Sequence, residues 1–321
     1  MFRHARTRNN RNLPAQLLPL ARLRRKENEY TFTMSKASSL MQAISNPDWN
    51  LPIHLVSFFG HYGVPVFLFL SAYGLVMKYE KRGGLAKKQT DVLPFLKHHY
   101  LKLFKMMIVG FVAFTMVDAV TPGAHKYHVV DILGQLFMFN NMMPDPDHVI
   151  WPGPYWFFGL MMQLYIVYRL LLWRKGDIYA LLLVAVCWAM QAFCAPEGET
   201  LNCIRYNFMG GVLPFCAGLL YARHGRELTH GVRMTVMVLS VVAVFFFSFN
   251  FHTWLWAPLF VCIATIGIVK LLPKTANEWI AWVAQSLPLS SCCIRSHERY
   301  SYQSRATATC TRVCCCTSWH R

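Results

Sequence analysis

The chain has 321 residues, 55% of them apolar and only 15% charged, with a mean hydropathy of +0.30 and a net charge of +17. That balance excludes an ordinary soluble domain, and recurring apolar stretches of roughly 18–22 residues predict an all-α integral membrane protein, a polytopic helix bundle. The charge does not call for nucleic acid: residues 1–36 hold nine Lys/Arg against two acids, residues 286–321 five against one, and no zinc-finger, helix-turn-helix or RNA-binding signature is present.

Residues 1–50 are polar and basic, and read as neither a signal peptide nor a span. Spans are then predicted at roughly 56–77, 103–120, 154–173, 178–195, 204–222, 232–249 and 251–271. The first contains GVPVFLFLSAYGLVMKYEKR, residues 63–82. Pro65 stands near the start of this helix, where a missing N–H costs least, and Lys78, Lys81 and Arg82 anchor its end among cytoplasmic headgroups. Ser71 and Gly74 offer a small packing face; Ser71 alternatively only bonds its own helix. The loop from Lys78 to Lys105 is dense in Lys and His, and Arg169–Lys175, Arg223–Arg233 and Lys270–Lys274 are further basic loops. The intervening loops, among them TPGAHKYH, APEGET and FNFHT, are acidic or nearly neutral. The positive-inside alternation is consistent only if VVDILGQLFMFNNMM, residues 129–143, does not cross, so it is predicted as an interfacial or re-entrant helix on the outer side.

A further apolar patch begins at Trp279 and breaks off near Gln285. Six of the 11 Cys follow residue 290, with triplet spacing that suits neither a zinc site nor a disulfide framework. Residues 311–318, TRVCCCTS, back-translate in a neighbouring frame to an apolar sequence. The 286–321 tail is therefore read as frame-shifted, and the polar 1–50 segment, where a first span belongs, as out of frame in the same way. The membrane domain is then 51–285, with seven to eight spans present.

GVPVFLFLSAYGL resembles the second span of the acyltransferase-three family of bacterial membrane acyltransferases. FLKHHYLKLFK (95–105), YWFFGLMMQLYIVY (155–168) and VLPFCAGLLYAR (212–223) are similar, in the right order, to that family's cytoplasmic Arg-rich segment, its W-x-L-x-x-E-x-Q-[FY]-Y segment and a later span. The resemblance implies a ten-helix, multi-pass enzyme of the bacterial inner membrane. Such an enzyme moves an acyl group, acetyl above all, from cytoplasmic acyl-CoA to a hydroxyl of a cell-surface or secreted carbohydrate. Acyl-CoA is then a donor substrate, with no permanently bound cofactor and no metal, and the partners are a carbohydrate or lipid-linked sugar acceptor and the bilayer.

The family's paired arginines fall at His99 and Lys102, which with Lys97 are expected to hold the donor's phosphates. The same cations are equally explained as topology charge. Ser71, Trp156, Gln163 and Tyr165 are expected to line the passage. The family's first-span His, its general base, has no counterpart in residues 1–50, and the usual Glu near Gln163 is absent. His61, in the GHYGVP turn, is the nearest candidate for catalytic or sugar contact. Two other readings stay open: a transporter or flippase of a glycan or lipid-linked substrate, and an inactive remnant of the acyltransferase fold.

Overall fold

The computed structural model describes residues 32, 34–81, 91–120, 127–143, 146, 155–273 and 278. The proposed frame-shifted tail, the patch from Trp279 to Gln285, most of the basic N-terminal segment, Arg82, and the outer-loop residues Asp145, Asp147 and Trp151 lie outside them. Among the described residues every regular element is helical and there is no strand. The helices are α1 (Met34–Ser45), α2 (Leu51–Phe59), α3 (Gly63–Val76), α4 (Val92–Val120), α5 (Val129–Leu136), α6 (Trp156–Val167), α7 (Asp177–Ala192), α8 (Glu199–Tyr206), α9 (Phe208–His224), α10 (His230–Phe247), α11 (Phe251–Trp254) and α12 (Ala257–Leu271). Single π-helical turns extend α3 through Met77–Lys81 and α6 through Tyr168–Leu172.

Helix α9 lies at the centre because its sequence lets neighbours approach. Gly210, Gly211, Cys216, Gly218 and Ala222 are buried, and Gly218 sits directly against the Phe69 carbonyl of α3. Small residues allow this close seam, and α3, α6 and α7 all pack on α9. Helix α12 touches α3 and pairs with α10. The outward face of α10, with Val238, Leu239, Val241, Val242 and Phe246 exposed, is suited to hydrocarbon rather than water.

Two helices are long and apolar enough to cross a membrane, Leu51–Lys81 and His230–Phe247, and a third if α8 and α9, bent by 44°, form one span. This count concerns the described residues, and it is smaller than the seven to eight spans expected from hydropathy. The helices over 156–172, 177–192 and 257–271 are apolar but shorter. Two predicted spans are interrupted: 204–222 breaks at Asn207, which is extended (φ −101°, ψ 173°), and 251–271 breaks between Trp254 and Ala257, just before Pro258. Residues 34–45, inside the polar, basic segment read as neither signal peptide nor span, form α1.

The element ends sort into two groups. At one end Glu80, Tyr168, Asp177, Arg223 and His224 form a single hydrogen-bonded network, and Glu227 joins Arg233 to Lys270. At the other, Tyr62 bonds Ser248, and Phe32 packs on Phe251 and Trp254. The segment ends at Glu80, Asp177 and Arg223 thus meet one another, and Tyr62 meets the turn at Ser248.

Candidate active site

From Val92 onward the predicted Lys/His loop is helical. Helix α4 begins at Val92, and Phe95, His99, Leu103, Met107 and Phe111 are all buried at four-residue intervals, one face of the helix. His99 is therefore carried into the packed interior. Its ring lies 4.4 Å from those of Phe95 and Tyr165, and its Nε2 is 3.2 Å from the Tyr79 hydroxyl. Nδ1 is buried with no hydrogen-bond partner. Burial, then the charges of His98, Lys78 and Lys102, push this imidazole down to about 2, so it is neutral at every physiological pH.

Around it the cations crowd one another. Lys78 Nζ lies 3.4 Å from His98 Nε2 and 4.9 Å from the Tyr79 ring centre. Burial, then the charges of Lys78 and Lys102, lowers His98. Among the described residues no carboxylate pairs with Lys78, His98 or Lys102. Lys97 is exposed beside them.

Above this cluster the bundle is stitched by amides. Gln163 donates from Nε2 to Asn207 Oδ1 at 2.9 Å and accepts from the Phe208 N–H at 2.8 Å, satisfying one of the open donors at the start of α9. Asn141 Nδ2 donates to the Tyr206 carbonyl and to Asn207 Oδ1, both at 3.1 Å, and Asn207 Nδ2 donates to the Cys203 carbonyl at 2.7 Å. Asn141 belongs to the 129–143 segment. Helix α5 has eight residues, about 12 Å, far too short to cross. At its end Tyr100 donates to the Leu136 carbonyl at 2.8 Å, and the chain reverses through Met138 (φ 59°) into a 3-10 turn, Asn140–Met142. Gly159 of α6 packs directly on the Met138 carbonyl and the Asn141 amide. The chain thus reverses within this segment.

The predicted residues are thus distributed unequally. His99, Lys102 and Tyr165 share the inner cluster, and Gln163 belongs to the amide stitch next to it. Trp156 is buried edge-on against Tyr206, ring centres 4.9 Å apart. Ser71 is half-buried on α3. His61 stands at the opposite end, its ring 4.1 Å from that of Tyr62, apart from the cations. Asp131 is engaged in capping α5, accepting from the His128 N–H. Sequence reasoning treated Lys78 only as a headgroup anchor and did not single out Tyr79, Asn141 or Asn207. No local pattern joins those residues, although the four-residue apolar stripe through His99 was readable. Among the described residues no group of three or more His, Cys, Asp or Glu is placed to hold a metal ion.

A family profile described as an acyltransferase domain, the third of that name, matches residues 37–302, most of the chain. No curated protein and no solved structure matches.

Proposed function

Since the chain belongs to the acyltransferase-3 family, a family of membrane acyltransferases, we propose that it takes an acyl group, acetyl in the first instance, from cytoplasmic acyl-CoA and esterifies a carbohydrate hydroxyl at the outer face of a bacterial inner membrane. The observation that carries the reading is the pair of lysines, Lys78 and Lys102, that have no carboxylate partner among the described residues and stand beside His98 and neutral His99 at the basic end of the bundle. Cations held close without acids suit a polyanion such as the nucleotide diphosphate of coenzyme A.

In this proposal Lys78 and Lys102 hold the phosphates, with exposed Lys97 assisting. His99 is uncharged and supplies a hydrogen-bonding nitrogen rather than a positive charge, steered by Tyr79 and Tyr165. The acyl thioester then extends between α4 and α6 toward Gln163 and Trp156. Ser71 lines the passage from α3, and His61 meets the acceptor side. Multi-pass membrane insertion is part of the same reading, with the inner leaflet at the Lys78–Arg223 end.

The test uses membranes carrying the full chain and labelled acetyl-CoA. Label is expected in alkali-labile ester linkage on glycan. Joint substitution Lys78→Ala and Lys102→Ala is expected to lower kcat/KM for acetyl-CoA by about 10- to 100-fold, through loss of two charge-assisted contacts. No incorporation by the unsubstituted chain overturns the reading.

A further inference from the structure

We propose that the re-entrant turn Gln135–Asn141 is the acceptor subsite and that the acceptor is an uncharged, polyhydroxylated molecule; this deepens the acyltransferase reading and rests on it. Gln135 and Asn140 are both fully buried, at 0% exposure, and neither end of either amide has a hydrogen-bond partner. Asn141, 1% exposed, spends its nitrogen on Tyr206 and Asn207 while its oxygen has none. Nearly all buried amides in native proteins are paired, and unpaired ones cost stability. Three such amides within seven residues leave five buried polar atoms for a ligand to meet.

The turn is also held in place. Met138 is 3% exposed and adopts φ 59°, a left-handed backbone that a side-chain-bearing residue enters only when its surroundings enforce it. Tyr100 grips the Leu136 carbonyl from one side, the Phe139 N–H closes on the Gly134 carbonyl at 2.9 Å, and Gly159 lies so close to the Met138 carbonyl and the Asn141 amide that any side chain there would strike them. Pre-set donors and acceptors of this kind bind without paying to order themselves.

Chemistry selects the ligand. Gln135 and Asn140 each offer two N–H donors and a two-lone-pair acceptor, and Asn141 offers its oxygen, matching hydroxyls, each of which both donates and accepts. An anion would be drawn instead to Lys78 and Lys102, and an apolar ligand would leave every amide atom unmet. Tyr100, which holds the turn, is the neighbour of His99 in α4, so one helical turn ties this surface to the donor cluster.

The experiment compares unsubstituted chain with Gln135→Met and Asn140→Leu, which keep side-chain size and remove the amide. Membranes carrying each full-length chain receive labelled acetyl-CoA, and ester label on endogenous glycan is counted. Protection of Lys78 and Lys102 from amine-modifying reagent by acetyl-CoA reads the donor site, and the melting midpoint in detergent reads the fold. The expected result is an unchanged or raised midpoint, unchanged donor protection and at least about a tenfold loss of transfer. Full transfer by both variants overturns the subsite while leaving the acyltransferase reading intact. No transfer by the unsubstituted chain overturns the reading itself, and the subsite with it. Should either variant not fold, Gln135→Ala and Asn140→Ala replace it; failure of these as well makes the amides structural and overturns the subsite.

Discussion

Arg223→Ala is expected to lower the unfolding free energy by about 3 kcal/mol, read from chemical denaturation in detergent micelles. The guanidinium uses its fork in full. Nε and Nη2 hold the two oxygens of Glu80 at 2.8 and 2.9 Å, Nη1 holds Asp177 at 2.8 Å and the Lys175 carbonyl at 3.0 Å, and Nη2 also reaches the Leu172 carbonyl at 3.0 Å. Arg223 and Glu80 side chains are only 12% and 13% exposed, which sets this pair apart from surface ion pairs that contribute next to nothing. Alanine leaves the Glu80 carboxylate half enclosed with only the Tyr168 hydroxyl, at 3.1 Å, and frees the ends of α6 and α7 from α9. Lysine keeps the charge but cannot bridge two carboxylates and two carbonyls from fixed directions, so Arg223→Lys is expected to recover less than half of the loss. An unchanged denaturation midpoint in the alanine variant would show the network to be decoration.

The same network predicts an acid limb. The hydrogen bond from Arg223, with smaller help from His224 and against some burial, holds the Asp177 carboxyl below its ordinary value. A carboxyl depressed in the folded state contributes stability that is fully present above its unfolded value, about 3.9, and is lost as pH falls through the folded one. Stability of the unsubstituted chain should therefore decline below about pH 4, and that decline should be shallower in Arg223→Ala. Equal acid limbs in the two proteins would dissociate Asp177 from Arg223.

Local signals carried the fold as far as local physics reaches. Lys/Arg placement was enough to group the segment ends at Glu80, Lys175 and Arg223, and separately Tyr62 with the FNFHT loop beside Ser248, which the hydrogen bonds bring together. The same signals failed at Asn207 and at 255–256. There a hydropathy window runs straight over an Asn that starts α9 and a Pro in the first turn of α12, both readable as helix starts. They also missed the first turns of α4, where Lys and His mask an apolar stripe that includes His99. The amide stitch lay beyond sequence altogether: Gln163 and Asn207 are 44 positions apart, Asn141 and Asn207 66, and no periodicity links them. His99 shows the cost most plainly, since its match to a family arginine suggested a cation and its burial makes it neutral.

Gly218→Ala is expected to cost about 2–3 kcal/mol, whereas Gly211→Ala, about two turns away on nearly the same face, should cost well under half of that. The contrast follows from what each added methyl would strike. At Gly218 it meets the carbonyl oxygen of Phe69, with the carbonyl carbon at 2.9 Å and Cα at 3.0 Å, all backbone of α3. Backbone inside a helix cannot yield locally, so α3 and α9 must separate. At Gly211 the methyl meets the tips of Leu68, Leu164 and Leu160 at 2.9, 3.2 and 3.5 Å, side chains that can turn aside. The seam matters beyond stability, because α3 carries Lys78, Tyr79 and Glu80 on its last π-helical turn and α9 carries Arg223. Parting the two helices at Gly218 shifts Lys78 against His98 on α4 and opens Glu80 from Arg223 together. Gly218→Ala should accordingly raise KM for acetyl-CoA as well as lower the denaturation midpoint, while Gly211→Ala alters neither appreciably. Equal tolerance at both glycines would mean that α3 does not depend on α9 for its register, and the donor cluster would then need some other support.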